Sequence, residues 1–381
     1  MNQKHAGQHP NICFIALTAY PLLAGKPSQS IIGPDVHTVL LGRALAGHGF
    51  KVTFITYDEG GLPVEDADGI EVIKTYRRED VPRLNRILKV IRIWRAVKKA
   101  RAGIYIHAGG AAGVLSPLCR LLRKRFVYEI ASDALVDKAL ISRQVRGFSR
   151  SMFGIDALGN WLDIKLADEI VVQSEFQKRM LKKNFGKDST VIRMPFPLTQ
   201  RGVPEKSEPP VVLWVGTMAE VKQPELLVKL AEAIPEAKFQ MVGGPSANRE
   251  LYDRIGASAS TISNLELAGF VPFDKVNDYF SRASILVNTS MFEGFPYAFI
   301  QAWMHYTPVV SLNSDPDEII CQHRLGFHSR TFPQFIQDVK RLVEDMPLRR
   351  EMGENGRRYV EKNHDIDRIV GQYIEVLARV R

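Results

Sequence analysis

The chain has 381 residues, 45% of them hydrophobic and 24% charged, with 51 Lys+Arg against 42 Asp+Glu for a formal charge of +9. These values exclude a collagen-like or wholly disordered chain and leave enough apolar material for more than one core, so two domains are expected. Three widely spaced cysteines, Cys13, Cys119 and Cys321, make no disulfide framework, and the apolar run from Ile12 to Leu23 is interrupted by Thr18, Tyr20 and Pro21, so a reducing, cytoplasmic setting without a leader or membrane span is expected.

In chain order, the segment 11–20 is apolar and continuous and predicts a buried strand. A Gly/Pro/Ser-rich loop, 21–34, leads to a helix over 35–46 that His48-Gly49 ends. Strands are predicted at 51–57 and 71–76, then a periodic helix at 83–100, then strands at 103–107, 125–130, 169–173 and 190–193. The alternation implies βα units on a parallel sheet. The segment 199–210 is polar, carries three prolines and reads as an interdomain linker. The pattern then restarts. Strands are predicted at 211–215, 238–242, 265–271, 284–290 and 308–312, with helices after Pro224 and at 273–283 and 297–305, and a helical tail from Gln334. The expected fold class is α/β, two doubly wound Rossmann-like domains facing a cleft, with boundaries at 1–200 and 201–363 and a last helix in 364–381. Ligands of such sheets bind beyond the carboxyl ends of the strands.

The sharpest chemistry-bearing stretch is 288–312, NTSMFEGFPYAFIQAWMHYTPVVSL. Glu293 and Gly294 lie between a strand and a helix, and Gly294 lets backbone approach a ligand closely. The amides of Phe295 and Tyr297 begin that helix and suit an anion, while Pro296 has none to offer. Gln301 follows Glu293 by two helical turns, so both are expected to face one ligand. Gly216 and Thr217 turn the chain after a strand, and Lys222, just before the next helix, sets an ammonium beside a phosphate-sized hole. A third candidate is Gly33-Pro34-Asp35-Val36-His37 at a helix start, where His37 reads as a plain surface histidine. Cys321, His323 and His328 lack a fourth ligand and carry little as a metal motif. Trp303 and Phe299 read as core.

These residues carry a family likeness. The chain resembles the family 4 retaining glycosyltransferases of GT-B fold, nearest to the exopolysaccharide type, in NTSMFEGFPYAFIQAW…PVVSL, WVGTMAEVKQPELL, FQMVGGP, LAGFVPFDKVNDYF, VVQSEFQKR and DVHTVLLGRALAGHGFKVTFIT. The resemblance implies that Glu293 binds hydroxyls of a donor sugar, Lys222 holds its diphosphate and Gln301 stands where a glutamate usually binds ribose. It places Gly33 under the phosphates, Phe270 and Val271 beside the base, and His107 near the reacting sugar. It also implies that the helix 366–381 returns to the first domain. Three departures stand out: Gln301 for glutamate, Thr217 where an arginine usually partners the lysine, and Ala131-Ser132 where many relatives carry a histidine.

The implied reaction moves a sugar from a nucleoside diphosphate, UDP or GDP, to an acceptor hydroxyl with retention, in polysaccharide or glycolipid synthesis. No cofactor is implied, and no metal, since no Asp-x-Asp motif ends a strand. Two rivals stay open: a GT-B-fold sugar-nucleotide epimerase, and a non-catalytic nucleotide-sugar-binding subunit motivated by Thr217 and the missing histidine. A nicotinamide dehydrogenase is not expected, because no Gly-x-Gly-x-x-Gly follows the first strand. Residues 77–125 hold fourteen Lys/Arg against Glu79 and Asp80. Leu84, Ile87, Leu88, Ile91 and Trp94 share one helix face there, with Arg86, Lys89 and Arg92 opposite. The patch is expected to meet an anionic membrane surface at the inner face, presenting a saccharide or lipid-linked acceptor. A nucleic-acid partner is not expected, for want of a binding motif.

Overall fold

The computed structural model describes residues 10–26, 33–80, 86–108, 115–137, 155–198, 202–246 and 248–380. The chain divides into two compact units, one comprising Met1–Lys26, Ile32–Pro195 and Ile366–Arg381, the other built on Phe196–Asp365.

The first unit runs β1 (Ile12–Ile15), α1 (Tyr20–Leu23), α2 (Gly33–Gly47), β2 (Val52–Thr56), β3 (Val64–Ala67), β4 (Ile70–Lys74), α3 (Arg86–Ala100), β5 (Ile104–Ala108), α4 (Leu115–Leu121), β6 (Arg125–Ile130), α5 (Ile155–Leu166), β7 (Glu169–Val172), α6 (Glu175–Phe185) and β8 (Thr190–Val191). Its sheet has the order β3-β4-β2-β1-β5-β6-β7-β8, parallel except for the β3–β4 hairpin. β1, β2 and β6 are almost fully covered, which is what helices on both faces of a parallel sheet demand. Two apolar layers result. One gathers Phe14, Leu41, Leu45, Phe54 and Val72, and the other Ile15, Ile93, Val97, Tyr105 and Tyr128. The predicted strand over 11–20 is shorter than expected: it ends at Ile15, and Tyr20–Leu23 turns into a short helix with Pro21 in its first turn. The α3 register also differs from expectation. Its buried stripe is Ile93, Ala96, Val97 and Ala100, whereas Ile87 and Leu88 are exposed; Leu84 lies outside the described residues.

The second unit runs β9 (Val211–Val215), α7 (Glu225–Ala233), β10 (Lys238–Val242), α8 (Arg249–Ala259), β11 (Leu265–Gly269), α9 (Phe273–Arg282), β12 (Ile285–Asn288), α10 (Tyr297–Met304), β13 (Val309–Ser311), α11 (Ile319–Gln322), β14 (Gly326–His328), α12 (Phe332–Glu344) and α13 (Met346–Asn363). Its sheet is wholly parallel, in the order β11-β10-β9-β12-β13-β14. Trp214, Leu227, Leu230, Phe239, Met241 and Phe335 lie in its core. Within 202–210 no helix or strand forms, as the prolines and charges dictate. The unit closes on itself where Phe196 pairs with Asp365, the Phe196 amide donating to the His364 carbonyl at 2.7 Å.

The chain then re-enters the first unit as α14 (Ile366–Arg379). Ile369, Val370, Tyr373, Val376 and Leu377 of α14 are buried in the same core as Phe14 and Phe54. At its base lies a polar contact. His37 on α2, expected on the surface, is 1% exposed and donates from Nε2 to Glu129 Oε1 of β6 at 2.7 Å. Gln173 Nε2 reaches the same oxygen at 3.4 Å, and the Tyr373 hydroxyl of α14 also bonds Glu129. Burial alone would raise the Glu129 pKa; the His37 partner and these hydrogen bonds outweigh it and hold it below the ordinary glutamate value.

Candidate functional site

In the second unit the strand order reverses between β9 and β12, and loops leaving the carboxyl ends of these neighbours carry Lys222 and Glu293. Such a reversal opens a crevice in which open α/β sheets bind ligands.

Several contacts join the two loops. The ring of Trp214 on β9 lies beneath Gly216, and its Nε1 donates to Thr289 Oγ1 at 2.9 Å. Thr289 Oγ1 donates in turn to the Lys222 carbonyl at 2.6 Å, and the Met291 amide to the Val221 carbonyl at 2.8 Å. The Lys222 ammonium then meets Glu293 Oε1 in a short charged contact. The same carboxylate oxygen accepts from Ser290 Oγ at 2.6 Å and from Asn288 Nδ2 at 3.4 Å. Glu293 is therefore aimed by three donors, while Lys222 is 29% and Glu293 14% exposed, open to a ligand on one side. The Gly216 turn depends on a close approach: a Cβ on Gly243, after β10, would fall 1.8 Å from the Gly216 carbonyl oxygen, so no side chain fits there.

Other predicted residues fall around this pair. Thr217 is half-buried, its carbonyl accepting from the Ala219 amide at 2.8 Å. Phe270 and Val271 follow β11 and are half-buried. Gly294 and Phe295 are buried, and the Phe295 ring sits 5.1 Å from His364. Tyr297 packs on Phe196 and Phe273, and burial pushes its hydroxyl pKa well up. The side chains of Phe295 and Tyr297 thus belong to the interior, which leaves backbone as what they can offer a ligand. Gln301 is placed differently from expectation. α10 begins only at Tyr297, so one helical turn rather than two precedes it, and its Nε2 lies 3.4 Å from Asn277 Oδ1 on α9.

In the first unit, His107 lies within β5 beside β1, where that sheet reverses its own order. It is 7% exposed, and its Nδ1 donates to the Ile15 carbonyl at 2.8 Å, which orients the ring. Gly33 begins α2, and Asp35 in the first turn accepts from Thr18 Oγ1 at 2.8 Å, so a carboxylate already occupies that positive end.

Sequence reasoning passed over Asn288, Thr289, Ser290 and Trp214, which aim the pair. Their signal was present: three polar residues close a buried apolar strand, where only hydrogen bonding makes them tolerable.

Comparison with known proteins fits this geometry. The family described as Glycosyltransferase Family 4 matches residues 32–198, and the one described as Glycosyl transferases group 1 matches 209–345. A glycosyltransferase 1 domain-containing protein of Xenopus tropicalis is 26% identical over 152 residues, 39% of this chain and 44% of that protein. The chain spans about half the length of the curated relatives it matches. Among solved structures, a sucrose-phosphate synthase of Thermosynechococcus elongatus superposes with a TM-score of 0.79 at 18% identity, covering 97% of this chain and 99% of that one. The Anabaena protein HepE, in complex with UDP-glucose, gives 0.74 at 14% identity, covering 97% and 100%.

Proposed function

We propose that this chain, which belongs to the GT-B glycosyltransferases of family 4, transfers a sugar from a nucleoside diphosphate to an acceptor hydroxyl with retention of anomeric configuration. The observation that carries the reading is the Lys222–Glu293 pair, held beyond β9 and β12 at the strand-order reversal. In the proposed complex Lys222 turns to the diphosphate and Glu293 takes sugar hydroxyls. The bond from the anomeric carbon to the phosphate oxygen breaks as the acceptor oxygen bonds on the same face. The acceptor's proton passes to the departing phosphate, so no strong protein base is needed. Lys222 and the backbone of Gly294 and Phe295 stabilise charge on the leaving group, prearranged by Thr289 and Ser290. Gly216, Thr217, Phe270 and Val271 line the nucleotide side, and Gln301 offers an uncharged amide where ribose would lie.

Because HepE was solved with UDP-glucose, UDP is the first nucleotide to try, followed by GDP. The test is a thermal-stabilisation screen of UDP-, GDP- and ADP-sugars, followed by transfer assays with Lys222→Ala and Glu293→Ala. One nucleotide series should raise the melting temperature by mass action, and both variants should lose turnover. Unchanged turnover in both variants removes the site. Stabilisation without transfer to any acceptor favours a binding subunit, and donor alteration without acceptor favours an epimerase.

The acceptor side is assigned to an anionic membrane surface, with cytoplasmic localisation at its inner face. Arg92, Arg95, Lys98, Lys99, Arg120, Arg123 and Arg125 are exposed, and so are the apolar Ile87, Leu88 and Leu121. A pocket of about 390 Å³ lined by Arg120, Arg123, Lys124 and Arg125, the last already paired with Asp168 at 2.9 Å, adds a slot of headgroup size. Apolar side chains protruding among cations suit the headgroup–acyl boundary better than water or nucleic acid. No helix among the described residues is long and apolar enough to cross a membrane. Vesicle co-sedimentation tests this: equal binding to anionic and neutral lipid would end it.

A further inference from the structure

Asp315, Cys321 and His328 come from three separate pieces of the second unit: the loop after β13, the short helix α11 and the end of β14. One ligand atom from each, a carboxylate oxygen, the thiol sulfur and an imidazole nitrogen, lies within 4.8 Å of the others. From this convergence we propose a divalent-cation site for a zinc-like ion, outside the donor pair and independent of the proposed reaction.

The donor set is the chemical argument. Thiolate, imidazole and carboxylate are the ligand types zinc takes, at about 2.0–2.3 Å, and three protein ligands leave a fourth position for water. Ligand atoms of a tetrahedral ion stand roughly 3.3–3.8 Å apart at those bond lengths, so the site closes by about an ångström. Sequence spacing had pointed instead to His323. That ring turns away, to 5.0 Å from Tyr359, and Asp315 takes its place. The Asp315 carboxylate is oriented before any ion arrives: Oδ1 accepts from the Ile320 amide at 2.8 Å and Oδ2 from the Cys321 amide at 3.3 Å. The carboxylate also accepts from the Cys321 thiol, a hydrogen bond that a metal bound by both groups would replace. Pairing of Ser311 with His328 fixes β14 against β13, so His328 is anchored independently of the loop. On binding, the sulfur–metal bond replaces the thiol S–H bond, and the proton leaves to buffer.

An ion here would also stiffen the surroundings of Glu293. Two residues before Asp315, Asn313 Nδ2 donates to the Ser290 carbonyl at 3.0 Å, and Ser290 Oγ donates to Glu293. The site is thus a clip on the loop that backs the carboxylate and plays no part in the chemistry itself.

The test is titration of the full-length chain with Co²⁺, read by thiolate-to-cobalt charge-transfer absorption, with Zn²⁺ as competitor. One equivalent should develop the band, and Zn²⁺ should abolish it. Cys321→Ser should lose the band while keeping the wild-type circular dichroism, since Cys321 is exposed and the other two cysteines are buried. His328→Ala should weaken cobalt binding by at least about tenfold. Absence of the band in the wild type, its persistence in Cys321→Ser, or wild-type affinity in His328→Ala overturns the proposal. None of these readings involves sugar transfer, so failure here is distinct from failure of the proposed reaction.

Discussion

Glu293→Gln separates two jobs that a single loss of activity would confuse. Without ligand, Glu293 holds the Lys222 ammonium, and both side chains are partly exposed at 14% and 29%. A pair so exposed is worth up to about 1 kcal/mol. A nucleotide that recruits Lys222 must give up that contact or share it. A glutamine keeps an oxygen for the Ser290 hydroxyl, 2.6 Å away in the parent, so the loop should stay in place while Lys222 is released. UDP, which has no sugar for Glu293 to hold, should then bind Glu293→Gln as well as wild type or up to about fivefold more tightly. Lys222→Met should weaken UDP by roughly ten- to a hundredfold, the value of a hydrogen bond to a charged group. Transfer from a UDP-sugar should fall in both. Isothermal titration with UDP, paired with turnover, reads the difference. If Glu293→Gln weakens UDP as much as Lys222→Met does, the carboxylate supports the phosphate site directly, and the two side chains do not divide sugar from phosphate between them.

Removing His37 leaves Glu129 buried without its main partner, so His37→Ala should cost about 3–5 kcal/mol in urea unfolding, and Tyr373→Phe about 1.5–3 kcal/mol. The Glu129 pKa is depressed below its ordinary 4.5, so the unfolded chain binds the proton first and the contribution is lost as pH falls through that region. Urea midpoints followed from neutral pH downward should show that loss in the wild type, whereas in His37→Ala burial raises the Glu129 pKa and protonation relieves the buried charge, so the gap between the two proteins should narrow toward acid pH; a gap that stays constant would count against the contact. Gly243→Ala should lower the melting temperature and abolish nucleotide stabilisation, since its Cβ would fall on the Gly216 carbonyl; a wild-type thermal profile would contradict the close approach. Trp214→Phe leaves Thr289 without its indole donor and should raise KM for the donor more than it lowers kcat, as expected when loops are loosened and chemistry is left alone; an unchanged KM would deny Trp214 that positioning role.

Much of this architecture could be read from the sequence because buried parallel strands show as short runs rich in apolar, β-branched and aromatic residues. Val211–Val215 is apolar throughout, and Lys238–Val242 and Arg125–Ile130 form where predicted although Gln240 and Glu129 interrupt them. The misses have local causes. β3 escaped notice because Val64–Ala67 is an acidic edge strand, held by the Asp68-Gly69 turn and by pairing rather than by burial. β14 has three residues, too few for any period to register. His37 was misplaced because α2 is enclosed on more than one side: a helix packed on both a sheet and α14 has no broad wet face, and only the distant residues 366–379 supply the second covering. The α3 stripe slipped because two apolar faces compete there, and the choice of Ile93, Ala96, Val97 and Ala100 is made by packing against the sheet. In the candidate site the charged pair was legible as residue types after strands. The hydrogen bonds that aim it were not, since Trp214 and Thr289 stand 75 residues apart.

The return of α14 into the first sheet has a consequence for biogenesis. Phe196–Asp365 is one uninterrupted stretch, whereas the amino-terminal sheet lacks part of its hydrophobic covering until the closing helix has been translated. On the ribosome the usual amino-to-carboxyl order of maturation should therefore invert, with the later-made lobe settling while the earlier one still waits for its lid and stays a client for chaperones.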